Sequence, residues 1–203
     1  MDIKLSEEFQ DKVAYIKEHL DRPIYFTGLM GCGKSRIGAT LAGLLSVDFA
    51  DADQLIVDAA GKSIPDIFAQ NGEPHFREIE RQVIANKAEE EKLSVVALGG
   101  GAFMNDETRG TIKVKGLSVF LNATLDTLAE RVGDGEGRPL LTQDPNKTPR
   151  EKLGELIDER YPTYGQADIS IDVDDDEAGL PKEKSIQRNV ERVIDALYTH
   201  LNP

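Results

Sequence analysis

Residues Gly28-Leu29-Met30-Gly31-Cys32-Gly33-Lys34-Ser35 set glycines, a lysine and a hydroxyl at spacings that suit a bound triphosphate. The glycines let the backbone curl until its N–H groups point at phosphate oxygens. From the end of such a loop Lys34 reaches the β- and γ-phosphates, and the Ser35 hydroxyl is placed to ligate Mg²⁺. A helix starting here adds the positive end of its dipole to the same anion. Cys32 reads as a small filler, because nothing in the sequence marks a base that would make its thiol a nucleophile.

Other groups could stand opposite that phosphate. Asp51 and Asp53 lie two apart on what reads as an extended segment, so their carboxylates should share one side. One could hold the hydration shell of a metal and the other could take a hydrogen bond, or a proton, from a hydroxyl nucleophile. The same pair would also serve as a plain strand end or helix cap. Gly99-Gly100-Gly101 offers successive N–H groups and room for close approach, or simply a tight turn. Arg77 and Glu80, three apart, share a helix face, as an ordinary surface ion pair would. Arg138, in a glycine-rich stretch, could close over a transferring phosphoryl group. Arg160 sits near a helix end, where a cation also favours the dipole. His19, His75 and His200 match no metal-ligand spacing, so a metal is expected to arrive with the nucleotide.

The elements that must carry these residues can be read from periodicity. Pro23 to Thr27 is a short β-prone run, and Ser35 to Leu45 has helical spacing, so the loop lies between strand and helix. Val47 to Asp53 reads as a second strand. Short helices are expected over 54–61 and 64–71, and a longer one over 73–91 with Phe76, Ile79, Val83 and Ile84 as its apolar face. Leu93 to Leu98 is apolar but for Ser94, as in a strand buried on both faces, and ends in the triple glycine. Then come a helix over 106–113, a strand over 117–121 and a helix over 124–132. Glycines and prolines crowd 133–148, and a connection that long suggests a lid. A helix over 149–160, a strand over 168–173, a solvated acidic loop at 174–177 and a helix over about 185–201 complete the chain. The N-terminal stretch, 5–20, carries Phe9, Val13, Ile16 and Leu20 on one stripe and is expected only to cover surface. Five strands alternating with helices predict an α/β fold in three layers, a parallel sheet with helices on both faces. Ligands then belong at the carboxyl ends of the strands.

Composition narrows the function. With 24 basic against 37 acidic residues the formal charge is −13, which argues against a nucleic-acid partner, since phosphate backbones need clustered Lys and Arg. An acidic protein handling anions must place its few arginines where they are used. No apolar run is long enough to span a membrane, the start Met-Asp-Ile-Lys carries no export core, and a single cysteine suits a reducing cytosol, so a cytoplasmic protein is expected. A guanine-nucleotide switch would need Asn/Thr-Lys-x-Asp, and Asn146-Lys147-Thr148-Pro149 lacks the final Asp.

Taken in order, the phosphate loop, Asp51-Ala52-Asp53, Phe76-Arg77-Glu78-x-Glu80, Val95 to Gly101, Arg138-Pro139-Leu140-Leu141 and Glu159-Arg160-x-Pro162-x-Tyr164 resemble shikimate kinases over about residues 22–173. The family is similar to nucleoside-monophosphate kinases. The resemblance implies a single P-loop kinase domain over 1–203, with an extra helix at 1–21, a substrate-binding region at 54–91, a mobile lid at 133–148 and a C-terminal helix at 185–201. It implies ATP-dependent phosphorylation of the 3-hydroxyl of shikimate, on the route to chorismate, by a monomer. ATP would lie on Gly31, Cys32, Gly33, Lys34, Ser35 and Arg36, with Arg131 near the adenine and Arg138 as the lid arginine. Mg²⁺ would be held by Ser35 and Asp51. Asp53 would bind the acceptor hydroxyl and serve as base; Lys34, Asp53 and Arg138 form the catalytic set. Arg77 and Arg160 would clamp the carboxylate, and Gly99, Gly100 and Gly101 would meet the ring hydroxyls. A gluconate-kinase-like enzyme is the alternative, though it should lack the acidic pair, Arg77 and the triple glycine. The acidic segment 174–184 and residues 1–20 depart from the family pattern.

Overall fold

The computed structural model describes residues 5–90, 92–135, 138–142, 144–173 and 181–203. Helix α1 (Glu7–His19) precedes β1 (Ile24–Thr27), α2 (Lys34–Leu45), β2 (Asp48–Asp51), α3 (Ala52–Ala60) and α4 (Ile64–Ala88). Next come β3 (Ser94–Ala97), a 3₁₀ turn (Ala102–Met104), α5 (Asp106–Lys115), β4 (Leu117–Asn122) and α6 (Leu125–Val132). The chain continues through α7 (Pro139–Thr142), α8 (Pro149–Tyr164), β5 (Ile169–Asp172) and α9 (Lys182–Leu201). The strands form one sheet in the order β2-β3-β1-β4-β5, every pair parallel.

β1 and β3 are buried along their whole length, because helices cover both faces. β1 is flanked by β3 and β4, with Phe26 opposite Ala97 and Val119. Their carboxyl ends therefore release the phosphate loop and the triple glycine side by side. α2 lies close on the sheet: a Cβ at Gly38 would come within 2.9 Å of the Phe49 ring and 3.3 Å of Phe26. The predicted three-layer fold and five-stranded parallel sheet are thus observed.

Several expectations change. α1 belongs to the core, with Val13, Ile16 and Leu20 buried in the main cluster, and Lys12 bridges Glu8 and Asp195 of α9. The stretch 64–88 does break, at Gly72, whose φ of 79° and ψ of 172° only glycine adopts readily. α8 continues through Pro162 to Tyr164 instead of stopping at 160. Tertiary bonds outweigh the backbone hydrogen bond that proline removes: the Tyr161 hydroxyl donates to the Ala123 carbonyl at 2.6 Å, and the Tyr164 hydroxyl to that of Gly100. Within the expected lid, α7 anchors itself through the buried Leu141. Residues 136, 137 and 143 of that stretch, and the acidic run 174–177, lie outside the described residues.

Candidate active site

The phosphate loop needs its glycines for two reasons. Gly28, Gly31 and Gly33 have φ of +141°, +86° and +105°. A Cβ at Gly28 would also stand 2.8 Å from both the Cys32 sulfur and the Leu121 carbonyl oxygen, and one at Gly31 would stand 2.9 Å from Val132. The loop is thus seated on the end of β4 and on α6. Lys34 Nζ donates to the carbonyls of Gly28 (2.8 Å) and Leu29 (3.1 Å), which keeps the ammonium inside the loop. Cys32 is fully buried, as a filler should be.

Ser35 lies in the first turn of α2, and its hydroxyl donates to Asp51 Oδ2 at 2.7 Å. A hydroxyl and a carboxylate this close, beside a phosphate site, are hard oxygen donors of the kind Mg²⁺ takes while keeping its waters. Among the described residues there is no group of three or more His, Cys, Asp or Glu side chains that could hold a metal ion.

Asp51 and Asp53 do converge, but not by strand alternation. β2 ends at Asp51, which caps α3 by accepting the Asp53 N–H at 3.0 Å, and Asp53 already lies in the first helical turn. The helix turn, not a two-residue period, aims Asp53 at the triple glycine. A Cβ at Gly99 would lie 2.9 Å from Asp53 Oδ1 and 3.0 Å from Glu80 Oε1. Burial holds the Asp53 carboxyl above its usual range; Asp51 adds to this, while Lys34 and Arg77 oppose it.

Each of the three glycines meets a different site group. Gly99 faces Asp53 and Glu80. Gly101 lies under Arg77, whose Nη1 would be 2.6 Å from an added Cβ. The Gly100 carbonyl accepts from Arg160 Nη1 at 3.1 Å. Arg77 stacks on Phe76 (5.0 Å) and donates to Glu80 (2.7 Å) and Glu73 (3.0 and 3.2 Å). Burial alone would lower the Arg77 pKa, but these carboxylates outweigh it and raise it. Glu80, only 2% exposed, is held above the usual carboxyl range by burial, against the pull of Arg77. Arg160 is 8% exposed, and its buried Nε has no hydrogen-bond partner among the described residues, the Glu159 carboxylate standing 3.7 Å away.

The family model described as shikimate kinase matches residues 30–197. The chain belongs to the shikimate kinase family. It is 40% identical over 202 residues to a shikimate kinase of Paramagnetospirillum magneticum, covering all of this chain and 97% of the relative. With a Caulobacter vibrioides shikimate kinase it shares 46% identity over 154 residues, 76% of this chain and 75% of that one. A solved shikimate kinase from Acinetobacter baumannii, in complex with shikimate, superposes with a TM-score of 0.77 at 30% identity, over 93% of this chain and 97% of that one.

Within this family member the remaining predicted residues divide. Arg131 reaches the loop and the end of β5 together, donating to the carbonyls of Gly31 (3.4 Å) and Val173 (2.9 Å). Arg36 is exposed on α2, and Arg138 stands just before α7; neither guanidinium has an ion pair among the described residues. Glu80 and Tyr164 were not assigned as site residues from the sequence, yet both touch the triple glycine. For Glu80 the signal was its three-residue spacing from Arg77, indistinguishable in one dimension from a surface pair. Its burial is a property of the fold.

Proposed function

We propose that this protein transfers the γ-phosphoryl group of ATP to the 3-hydroxyl of shikimate, giving shikimate 3-phosphate and ADP. The reading is carried by Asp53, Arg77 and Arg160 meeting on three successive glycines beside the phosphate loop. A small carboxylated polyol needs arginines for its carboxylate and carboxylates for its hydroxyls. The guanidinium fork matches a carboxylate bidentately, and each charge-assisted bond contributes about 1.5–3 kcal/mol. The buried, unbonded Nε of Arg160 suits such a partner.

In this reading Lys34 and the loop N–H groups orient the β- and γ-phosphates. Ser35 and Asp51 hold Mg²⁺, which when bound offsets charge on the phosphate oxygens. Asp53 accepts the hydroxyl proton as the new O–P bond forms and the bond from Pγ to the ADP oxygen breaks. A carboxyl held above its usual range is a better proton acceptor, though a loose transition state asks mainly for orientation. Arg77 and Arg160 clamp the carboxylate, Arg138 closes with 133–148, and 54–91 forms the acceptor-binding region. Arg36 and Arg131 serve the nucleotide. We place the enzyme in the cytoplasm as a monomer; among the described residues no helix is long and apolar enough to cross a membrane.

A coupled assay with ATP and a panel of shikimate, gluconate and other polyols tests the reading. Turnover with shikimate alone is expected. Turnover with gluconate and none with shikimate would move the protein to the gluconate-kinase-like alternative.

A further inference from the structure

The Gly100 carbonyl takes two donors from one face of α8. Arg160 Nη1 and the Tyr164 hydroxyl both donate to it, and their four-residue spacing stacks them on the same side of the helix. Tyr164 is fully buried, with its ring against Phe120 and Tyr161. Burial pushes its pKa up to about 12, so the hydroxyl stays neutral and able to donate. The peptide is trans, so a carbonyl aimed at α8 turns the Gly101 N–H to the opposite side. That N–H has no protein acceptor among the described residues, and the Arg77 guanidinium lies against the same glycine from α4. With glycine on both sides, such a peptide meets little steric resistance to rotation. Something must hold it.

We propose that Tyr164 is a positioning residue of the acceptor site: with Arg160 it locks the Gly100–Gly101 peptide, and the lock presents the Gly101 N–H as a donor to an acceptor oxygen. The proposal rests on the acceptor reading above and gives a role to the last residue of the Glu159-Arg160-x-Pro162-x-Tyr164 motif. Tyr161 supplies the control. Its hydroxyl also donates to a backbone carbonyl, that of Ala123, on the same helix but away from the triple glycine.

The test compares Tyr164→Phe, Tyr161→Phe and the unaltered enzyme by calorimetric titration with shikimate and, separately, with a nucleotide. Tyr164→Phe should weaken shikimate binding about five- to ten-fold, the range of one lost hydrogen bond, and leave nucleotide binding within about two-fold. Tyr161→Phe should leave both within about two-fold. Equal effects of the two substitutions on shikimate, or none from Tyr164→Phe, overturn the proposal. Amide exchange at Gly101 in the unaltered enzyme provides a readout that does not depend on the variant folding. Slower exchange on adding shikimate is expected, and an unchanged rate overturns the proposal. Absence of shikimate binding to the unaltered enzyme overturns the acceptor reading, and this proposal with it.

Discussion

The two halves of the site are built differently. The donor half is one contiguous loop, Gly28 to Ser35, seated on the main core: Leu29 and Cys32 are fully buried, and a Cβ at Gly28 or Gly31 would collide with Leu121 or Val132. The acceptor half gathers Asp53 from α3, Arg77 and Glu80 from α4, the turn after β3, and Arg160 and Tyr164 from α8. Two of its helices, α3 and α4, share a small apolar cluster of their own, Ile56, Ile67 and Phe76, while α8 packs in the main core, and α4 is interrupted at Gly72. Phosphate recognition needs only curled backbone and one lysine, so a local segment suffices. Recognition of one polyol needs charges and donors from several directions, which only distant segments can supply.

Substitutions should separate the halves, the largest effect first. Asp53→Asn is expected to lower kcat about 10²–10⁴-fold, the range for losing a general base, with ATP affinity retained. A matching loss of ATP affinity would break the division. Arg77→Ala should raise the shikimate KM about 10–100-fold, the loss of a charge-assisted bond, and change kcat far less. Steady-state kinetics with each substrate varied measures both.

A pair of glycine substitutions sharpens the contrast. Gly31→Ala forces a side chain into the left-handed region and toward Val132, and should raise the ATP KM roughly ten-fold while sparing shikimate. Gly101→Ala pushes on the Arg77 guanidinium and should do the reverse, by about five-fold in the shikimate KM. If either variant damages both substrates equally, the halves are mechanically one.

The smallest effect is on stability. The Glu80 carboxyl is raised above its ordinary 4.5 in the folded state by burial. Ionising it therefore costs the folded protein stability as pH rises through the folded pKa. Glu80→Gln cannot ionise, so its melting temperature relative to the parent should increase as pH rises from about 4.5 through the raised value, and the difference should shrink below. Thermal melts across that window decide it; a difference independent of pH would show that Glu80 ionises as freely as an exposed carboxylate.

The limits of one-dimensional reading follow the same divide. The strand, loop and helix around Lys34 were legible, since their pattern is local and each glycine is needed for its own φ. Asp51 and Asp53 were paired for a geometric reason that fails, because the strand stops at Asp51 and a helix turn does the aiming. Arg77 and Arg160 stand out only through the motifs that carry them, Phe76-Arg77-Glu78-x-Glu80 and Glu159-Arg160-x-Pro162-x-Tyr164. The helix expected over 149–160 runs on through Pro162 to Tyr164, where the anchored tyrosines of α8 hold it. Glu80 and Tyr164 escaped because burial and partners 64 residues away leave no mark on spacing.

The sequence by itself determined the parallel α/β order and the phosphate loop, because hydrophobic period and glycine placement act over a few residues. It also carried the family pattern that names the acceptor. Only the tertiary structure decided which carboxylate is buried against Arg77, which hydroxyl holds the triple glycine, and that α1 belongs to the core. Those facts depend on which surfaces exclude water, and that is settled when distant segments pack.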